Sequence, residues 1–259
     1  MKKQKIIYYT DELGDEFSVA KITPKRIDGS YVYCHDSAFK KFTHFFWYRI
    51  VAYPLAFLYT KLVFAHKIVG AKKLRSCRDS GYFIYGNHTQ DIADPLIPNM
   101  LTYRKDKYFI VHPNNVSMPY LGRITPSLGA LPLPDDMAAY KNFTGAIERR
   151  ISEKCAVVIY PEAHIWPYYT KIRPFTDTSF SYPVKLDTPV FCFTNTYSKR
   201  RLFGAKITTY VDGPFFKNSE LPPREQRRDL RDRVYSCMCE RAKLSTYEKI
   251  KYIKKENEK

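Results

Sequence analysis

The sequence predicts an α/β fold: a mixed, mainly parallel sheet flanked by helices, with an aromatic two-helix motif ahead of it. Three observations carry the prediction. From residue 82 onward short β-rich runs alternate with longer helical patterns, and most of the runs are apolar throughout, as strands covered on both faces are. A length of 259 residues with 44% hydrophobic and 16% aromatic content suits one large globular domain with an appendage. No internal repeat and no long linker divides the chain. The same figures exclude a disordered chain and a disulfide-stapled mini-protein.

Residues 6–33 alternate weakly and place the turn signal Asp28-Gly29 before Tyr31-Val-Tyr33, which predicts a small strand or hairpin within an N-terminal extension, residues 1–35. Residues 36–68 are rich in Phe, Tyr and Trp and predict two helices, about 38–50 and 55–66, broken at Pro54. Only eleven residues between Arg49 and Lys61 are uncharged, whereas a membrane-spanning helix needs roughly 18 to 20. Lys40, Lys41, Arg49, Lys61 and Lys67 frame the aromatics, a composition suited to the bilayer interface. A helical pair packed on the protein's own core has the same composition.

An α/β domain is expected over residues 69–245. Tyr82–Tyr85, Lys107–His112, Ala130–Leu133, Cys155–Tyr160 and Pro189–Phe193 read as strands, and Lys206–Asp212 as a late one. Asp135–Ile151 reads as a helix with Met137, Tyr140, Phe143, Ile147 and Ile151 on one face and acidic residues at its start. Arg224–Ala242 reads as a final helix with Leu230, Val234, Cys237 and Met238 inward. The charged tail, 246–259, is expected to fray after Tyr247.

The 43 basic and 26 acidic residues leave a formal charge of +17, which points to an anionic partner, nucleic acid or anionic lipid, unless it serves solubility alone. The aromatic helices favour lipid. The six cysteines are scattered, and Cys237-Met-Cys239 lacks the spacing of a zinc knuckle. The basic start lacks the apolar stretch of a secretory signal, so a cytosolic chain with reduced thiols is expected.

Two constellations are suited to chemistry. In the first, a buried strand ends at Gly86 and delivers His88 at its carboxyl edge, where open α/β sheets place ligands. Asp91 and Asp94 follow at three and six residues. A carboxylate that accepts Nδ1–H fixes the imidazole tautomer and stabilises the imidazolium once Nε2 has taken a proton, the minimal general-base pair. In a purely structural reading His88 caps the next helix and Asp94 ends one before Pro95. A metal reading takes His88, Asp91 and Asp94 as ligands, with His112 or His164 from other strand ends. The second constellation is Tyr160-Pro-Glu162-Ala-His164, at the end of another hydrophobic strand. Lys171 and Arg173 follow as cations able to face a phosphate, although Glu162 and His164 also suit a structural hydrogen-bonded pair.

Asn87-His88 with a nearby Asp, then Gly122 and Gly129-Ala-Leu-Pro-Leu133, then Tyr160-Pro161-Glu162, and finally Thr188-Pro189-Val190 resemble the four ordered blocks of the glycerophospholipid acyltransferases, the 1-acyl-sn-glycerol-3-phosphate acyltransferase type. The resemblance covers about residues 36–215. It implies transfer of a fatty acyl group from a thioester, acyl-CoA or acyl carrier protein, to a glycerol hydroxyl of a lysophospholipid, with lysophosphatidate giving phosphatidate. His88 would be the general base and Asp94 its orienting partner, and backbone N–H groups would stabilise the oxyanion. No metal or other cofactor is implied. The aromatic helices would be the membrane-facing motif, placing the enzyme on the cytoplasmic face of an anionic membrane surface as a peripheral or monotopic protein. Nucleic acid would not be a partner.

The chain departs from the family pattern at three places. The family's aspartate lies five residues after the histidine, where this chain has Ala93, which leaves Asp94 and Asp91 as candidates. An arginine usually closes the second block, where Pro134-Asp135 stands here, and the third usually runs Glu-Gly-Thr-Arg, where this chain has Glu162-Ala-His164-Ile165. Those arginines bind the acceptor's phosphate, so Arg123, Lys171 and Arg173 are the substitutes to consider, with Gly129 and Glu162 as further substrate-binding candidates. Another lysolipid or hydroxyl acceptor is the nearest alternative. A basic nucleic-acid-binding protein would leave His88 and Glu162 unexplained; a non-catalytic lipid-binding relative would keep the motifs.

Overall fold

The computed structural model describes residues 4–17, 22–34, 37–200 and 204–255. Its elements in chain order are β1 (Lys5–Tyr9), α1 (Ala38–Phe45), α2 (Tyr53–Phe64), β2 (Lys67–Val69), β3 (Tyr82–Gly86), α3 (Ile97–Leu101), β4 (Lys107–Val111), α4 (Asn114–Ser117), β5 (Ala130–Pro132), α5 (Met137–Ser152), β6 (Ala156–Ile159), α6 (Ser181–Lys185), β7 (Val190–Arg200), β8 (Gly204–Phe215), α7 (Pro223–Ala242) and β9 (Ile250–Lys254). Seven strands form one sheet in the order β2-β8-β7-β3-β6-β4-β5. Strands β3 to β7 run parallel, and only β8 and β2 run the other way. The predicted mixed, mainly parallel sheet is therefore the observed one.

The central strands are apolar throughout because both of their faces are covered. In β3, Phe83 and Tyr85 point to the face packed by α5 and α7, while Tyr82 and Ile84 point to the face packed by α2 and α3. The two-residue period of a strand thus feeds two separate cores from one run. Helix α5 is capped by Asp136, whose carboxylate accepts the Ala139 N–H at 2.8 Å. Its inward face is Ala139, Phe143, Ala146 and Ile147; Met137 and Tyr140, expected inward, are exposed. The face keeps its helical spacing but is rotated, so the first turn reaches solvent. Helix α7 buries Leu230, Val234 and Met238 as expected, with Cys237 at the margin.

The predicted break at Pro54 is absent. The backbone stays helical from α1 to α2 through π-helical residues 46–52, and the Tyr53 N–H reaches Tyr48 C=O, five residues back. That wider turn makes room before a residue with no N–H to donate, so Pro54 sits at the start of α2 without ending the helix. The segment is fastened on one side only. Ala56, Thr60 and Phe64 are buried at helical spacing, Tyr48 reaches Asn99 and the Lys107 N–H, and Arg49 pairs with Asp106. Phe39 (70% exposed), Phe42, Ile50, Leu55, Leu58 and Leu62 face outward. Asp36, the expected start of this motif, lies outside the described residues.

Two expectations about the termini need correction. No strand forms at Tyr31–Tyr33, although the Tyr31 N–H to Asp28 C=O bond closes the expected turn at 3.0 Å. The C-terminal tail is not frayed over residues 250–254: β9 pairs in parallel with β1, Lys5 facing Ile250. Aromatic packing orders this charged stretch, since Tyr252 stacks on Trp166 at 5.0 Å and donates to Pro167 C=O at 2.9 Å. The last residues of the tail, 256–259, lie outside the described residues.

Candidate active site

Strands β3 and β6 are neighbours, so the loops that leave their carboxyl ends are neighbours too, and they carry His88 and Glu162. Gly86 ends β3 because nothing larger fits: a Cβ there would stand 2.1 Å from the Phe193 ring. Asn87 then prolongs the pairing with β7 by its side chain, donating to Asn195 C=O at 3.1 Å and accepting the Asn195 N–H at 2.8 Å. The His88 and Thr89 carbonyls accept the Trp166 and Tyr168 N–H groups at 3.1 and 3.0 Å, tying this loop to the one after β6.

His88 Nδ1 lies 2.8 Å from Asp94 Oδ2, and the same oxygen accepts the Thr89 and Gln90 N–H groups at 2.8 and 2.9 Å. A carboxylate only accepts, so the hydrogen-bond network assigns the imidazole proton to Nδ1 and leaves the Nε2 lone pair available as a base. Nε2 has no hydrogen-bond partner among the described residues, and the ring, partly exposed, stacks on Tyr160 with centroids 4.4 Å apart. Asp94 is fully buried. Burial raises its proton affinity by more than the His88, Gln90 and Thr89 bonds lower it. Asp91 is exposed. Residues 91–96 form a turn in place of a direct entry into a helix, and α3 begins only at Ile97; this turn absorbs the extra residue and returns Asp94 to the imidazole.

The structure reassigns Glu162 and Arg173. Both are buried, with Arg173 Nη2 3.5 Å from Glu162 Oε2 and 3.1 Å from Glu162 C=O. Arg173 also bonds the His164 and Glu12 carbonyls and lies over the Trp166 ring at 5.0 Å. Glu162 Oε2 accepts the His88 N–H and Oε1 the Arg173 N–H, each at 3.1 Å. Burial raises the proton affinity of Glu162, and the Arg173 charge works against that rise. Glu162 therefore pins the His88 backbone and Arg173 neutralises Glu162; neither side chain is a free ligand for a phosphate.

Gly129 is also structural. Its φ of +92° and a Cβ position 2.4 Å from Lys107 C=O demand glycine where the chain turns into β5. Arg123 and Lys171 are exposed. His112 accepts the Asn114 N–H at 3.2 Å, and the His164 ring faces Glu16 at 3.5 Å while the His164 backbone N–H donates to Glu162 C=O at 2.8 Å. Among the described residues no three His, Cys, Asp or Glu side chains gather as metal ligands.

Sequence reasoning missed the polar groups behind the pair. Asn195 sits in β7, Thr209 in β8 and His66 just after α2, all buried. Their signal was polar runs, Thr194-Asn-Thr196 and Thr208-Thr209, inside strands that are otherwise apolar. Burial, with the Lys61 charge, pushes the His66 pKa down to about 4 from 6.5. Between those values the unfolded chain holds the extra proton, so stability is fully present above pH 6.5 and falls as pH drops towards 4, by up to about 3 kcal/mol. Urea unfolding at successive pH values is expected to show a shallower acid loss in His66→Phe than in the wild type.

This fold and this site together define a class. Residues 66–194 match the family model described as Acyltransferase, and the chain belongs to the acyltransferase family and is an acyltransferase enzyme. Among solved structures, the crystal structure of the 1-acyl-sn-glycerophosphate (LPA) acyltransferase PlsC from Thermotoga maritima is similar in fold, with a TM-score of 0.55 at 16% identity over 81% of this chain and 89% of that chain. No curated protein matches the chain significantly.

Proposed function

We propose that this acyltransferase moves a fatty acyl group from a thioester donor, acyl-CoA or acyl carrier protein, to the hydroxyl of lysophosphatidate, giving phosphatidate in phospholipid biosynthesis. The single observation that carries the reading is the His88–Asp94 pair at the carboxyl edge of the sheet, with Nε2 unpartnered among the described residues. In the reaction His88 Nε2 takes the acceptor's hydroxyl proton as that oxygen attacks the thioester carbonyl. Asp94 holds the ring and stabilises the imidazolium. The tetrahedral intermediate then collapses, the carbon–sulfur bond breaks, and the thiolate leaves and regains a proton. The solved relative named for LPA acyl transfer supports the choice of acceptor.

A second acceptor class is favoured by one observation: with Arg173 committed to Glu162, the cations left near the motif blocks are the exposed Arg123 and Lys171, so a lysolipid or other hydroxyl compound with a different headgroup fits as well. Thiol release from acyl-CoA with lysophosphatidate and a panel of other lysolipids separates the two. Dependence on lysophosphatidate supports the first reading, and turnover with another acceptor alone moves the substrate.

The outward face of residues 38–64, with Lys40, Lys41 and Lys61 beside it, supports a peripheral or monotopic seat on an anionic, cytoplasm-facing membrane surface. Among the described residues no helix is long and apolar enough to cross a membrane. Phe42→Asp combined with Leu58→Asp is expected to abolish flotation with anionic vesicles while circular dichroism stays unchanged. Undiminished flotation would exclude this face as the docking surface.

A further inference from the structure

Acyl transfer by His88 and Asp94 leaves unexplained why polar side chains are buried in series behind them. His66, Thr209 and Asn195 are each 2% exposed or less. His66 Nε2 lies 2.8 Å from Thr209 Oγ1, Thr209 Oγ1 donates to Asn195 Oδ1 at 2.6 Å, and Asn195 Nδ2 points at Asp94 Oδ1 at 3.5 Å. The last link is long, at the limit of a hydrogen bond.

The proton positions in this row are determined by elimination. Asp94, ionised, accepts only, so the Asn195 amide turns its NH2 to it and its oxygen to Thr209. The Thr209 hydroxyl has one proton and gives it to that oxygen. His66 must then donate from Nε2, which leaves its Nδ1 bare; that atom is buried and has no hydrogen-bond partner among the described residues. Every donor in the row therefore points towards Asp94. The Asn195 backbone is already committed to Asn87, which holds the amide in line with the carboxylate.

We propose that Asn195, Thr209 and His66 are positioning residues that act through Asp94, fixing its second carboxylate oxygen and with it the angle at which the first meets His88 Nδ1. Oδ2 is held by three donors on the His88 loop. Oδ1 is the free end about which the carboxylate would otherwise rock. A side-chain network of this kind acts by restraint, because each group's orientation is set by the next. Its far end lies immediately after α2, so the restraint is anchored on the helix that carries the outward apolar face. The inference rests on the reading of His88 and Asp94 as the reacting pair.

Thr209→Val removes the hydroxyl at nearly constant shape, and Thr209→Ser restores it. In the full chain Thr209→Val is expected to lower kcat about tenfold, the effect of one ordinary hydrogen bond, with KM unchanged, while Thr209→Ser stays close to wild type. Nitrogen-15 histidine NMR, which needs no substrate, is expected to show the His88 Nδ1–H resonance displaced in Thr209→Val and unmoved in Thr209→Ser. If Thr209→Val does not fold, His66→Phe removes the far donor and is expected to shift the resonance the same way by less. A wild-type kcat with an unmoved resonance overturns the proposal, as does a Thr209→Ser variant impaired like Thr209→Val, because packing would then be the whole effect. Absence of turnover with every acceptor would count against the proposed reaction, while an unmoved resonance would count against the positioning row.

Discussion

Asp94→Asn is expected to lower acyl transfer by about three orders of magnitude, while Asp91→Asn leaves it within about twofold. The amide keeps the size of the side chain and removes the charge that stabilises the imidazolium. It also sets its own NH2 against donors on both sides, because Oδ2 takes three N–H groups and Oδ1 faces the NH2 of Asn195. Asp91 is exposed and makes none of these contacts. Single-turnover thiol release, with circular dichroism to check the fold, measures both variants. The opposite ranking would mean that the loop rearranges when substrate binds and that the pairing seen here is not the working one.

Arg173→Met is expected to destabilise the fold by about 3–5 kcal/mol, because it leaves Glu162 buried without its cation. For a domain of this size that corresponds to a loss of roughly 5–10 °C in Tm. The expected kinetic signature is a lower kcat from a displaced His88 backbone, since Glu162 holds the His88 N–H. A residue that bound the acceptor's phosphate would give the reverse: raised KM for the acceptor and unchanged Tm. Pairing Arg173→Met with Glu162→Gln removes charge from both partners and is expected to recover part of the loss, which a thermal melt of the three variants detects.

The sheet and its two long helices were legible in the sequence because their signals are local. Apolar runs such as Tyr82–Tyr85 and Cys155–Tyr160 and the 3.6-residue pattern of Arg224–Ala242 need only neighbours along the chain. The ribbon of β1 and β9 was not legible, since Lys5 pairs with Ile250 and nothing near either residue announces the other. Pro54 misled for a related reason: its missing N–H was read as an interruption, and a π-turn tolerates it. At the site, the histidine at a strand end and the carboxylate six residues later were readable as a pair. The role of Arg173 was not, because a cation's sequence position does not reveal that a buried carboxylate and three carbonyl groups already occupy it.

The central claim, that His88 is the base for attack of a lipid hydroxyl on a thioester, is tested most directly by thiol release from acyl-CoA. Wild type and His88→Ala are compared in detergent, with and without lysophosphatidate. The account predicts release that requires both the acceptor and His88, falling by at least about a thousandfold in the variant. Release by His88→Ala at the wild-type rate would contradict it.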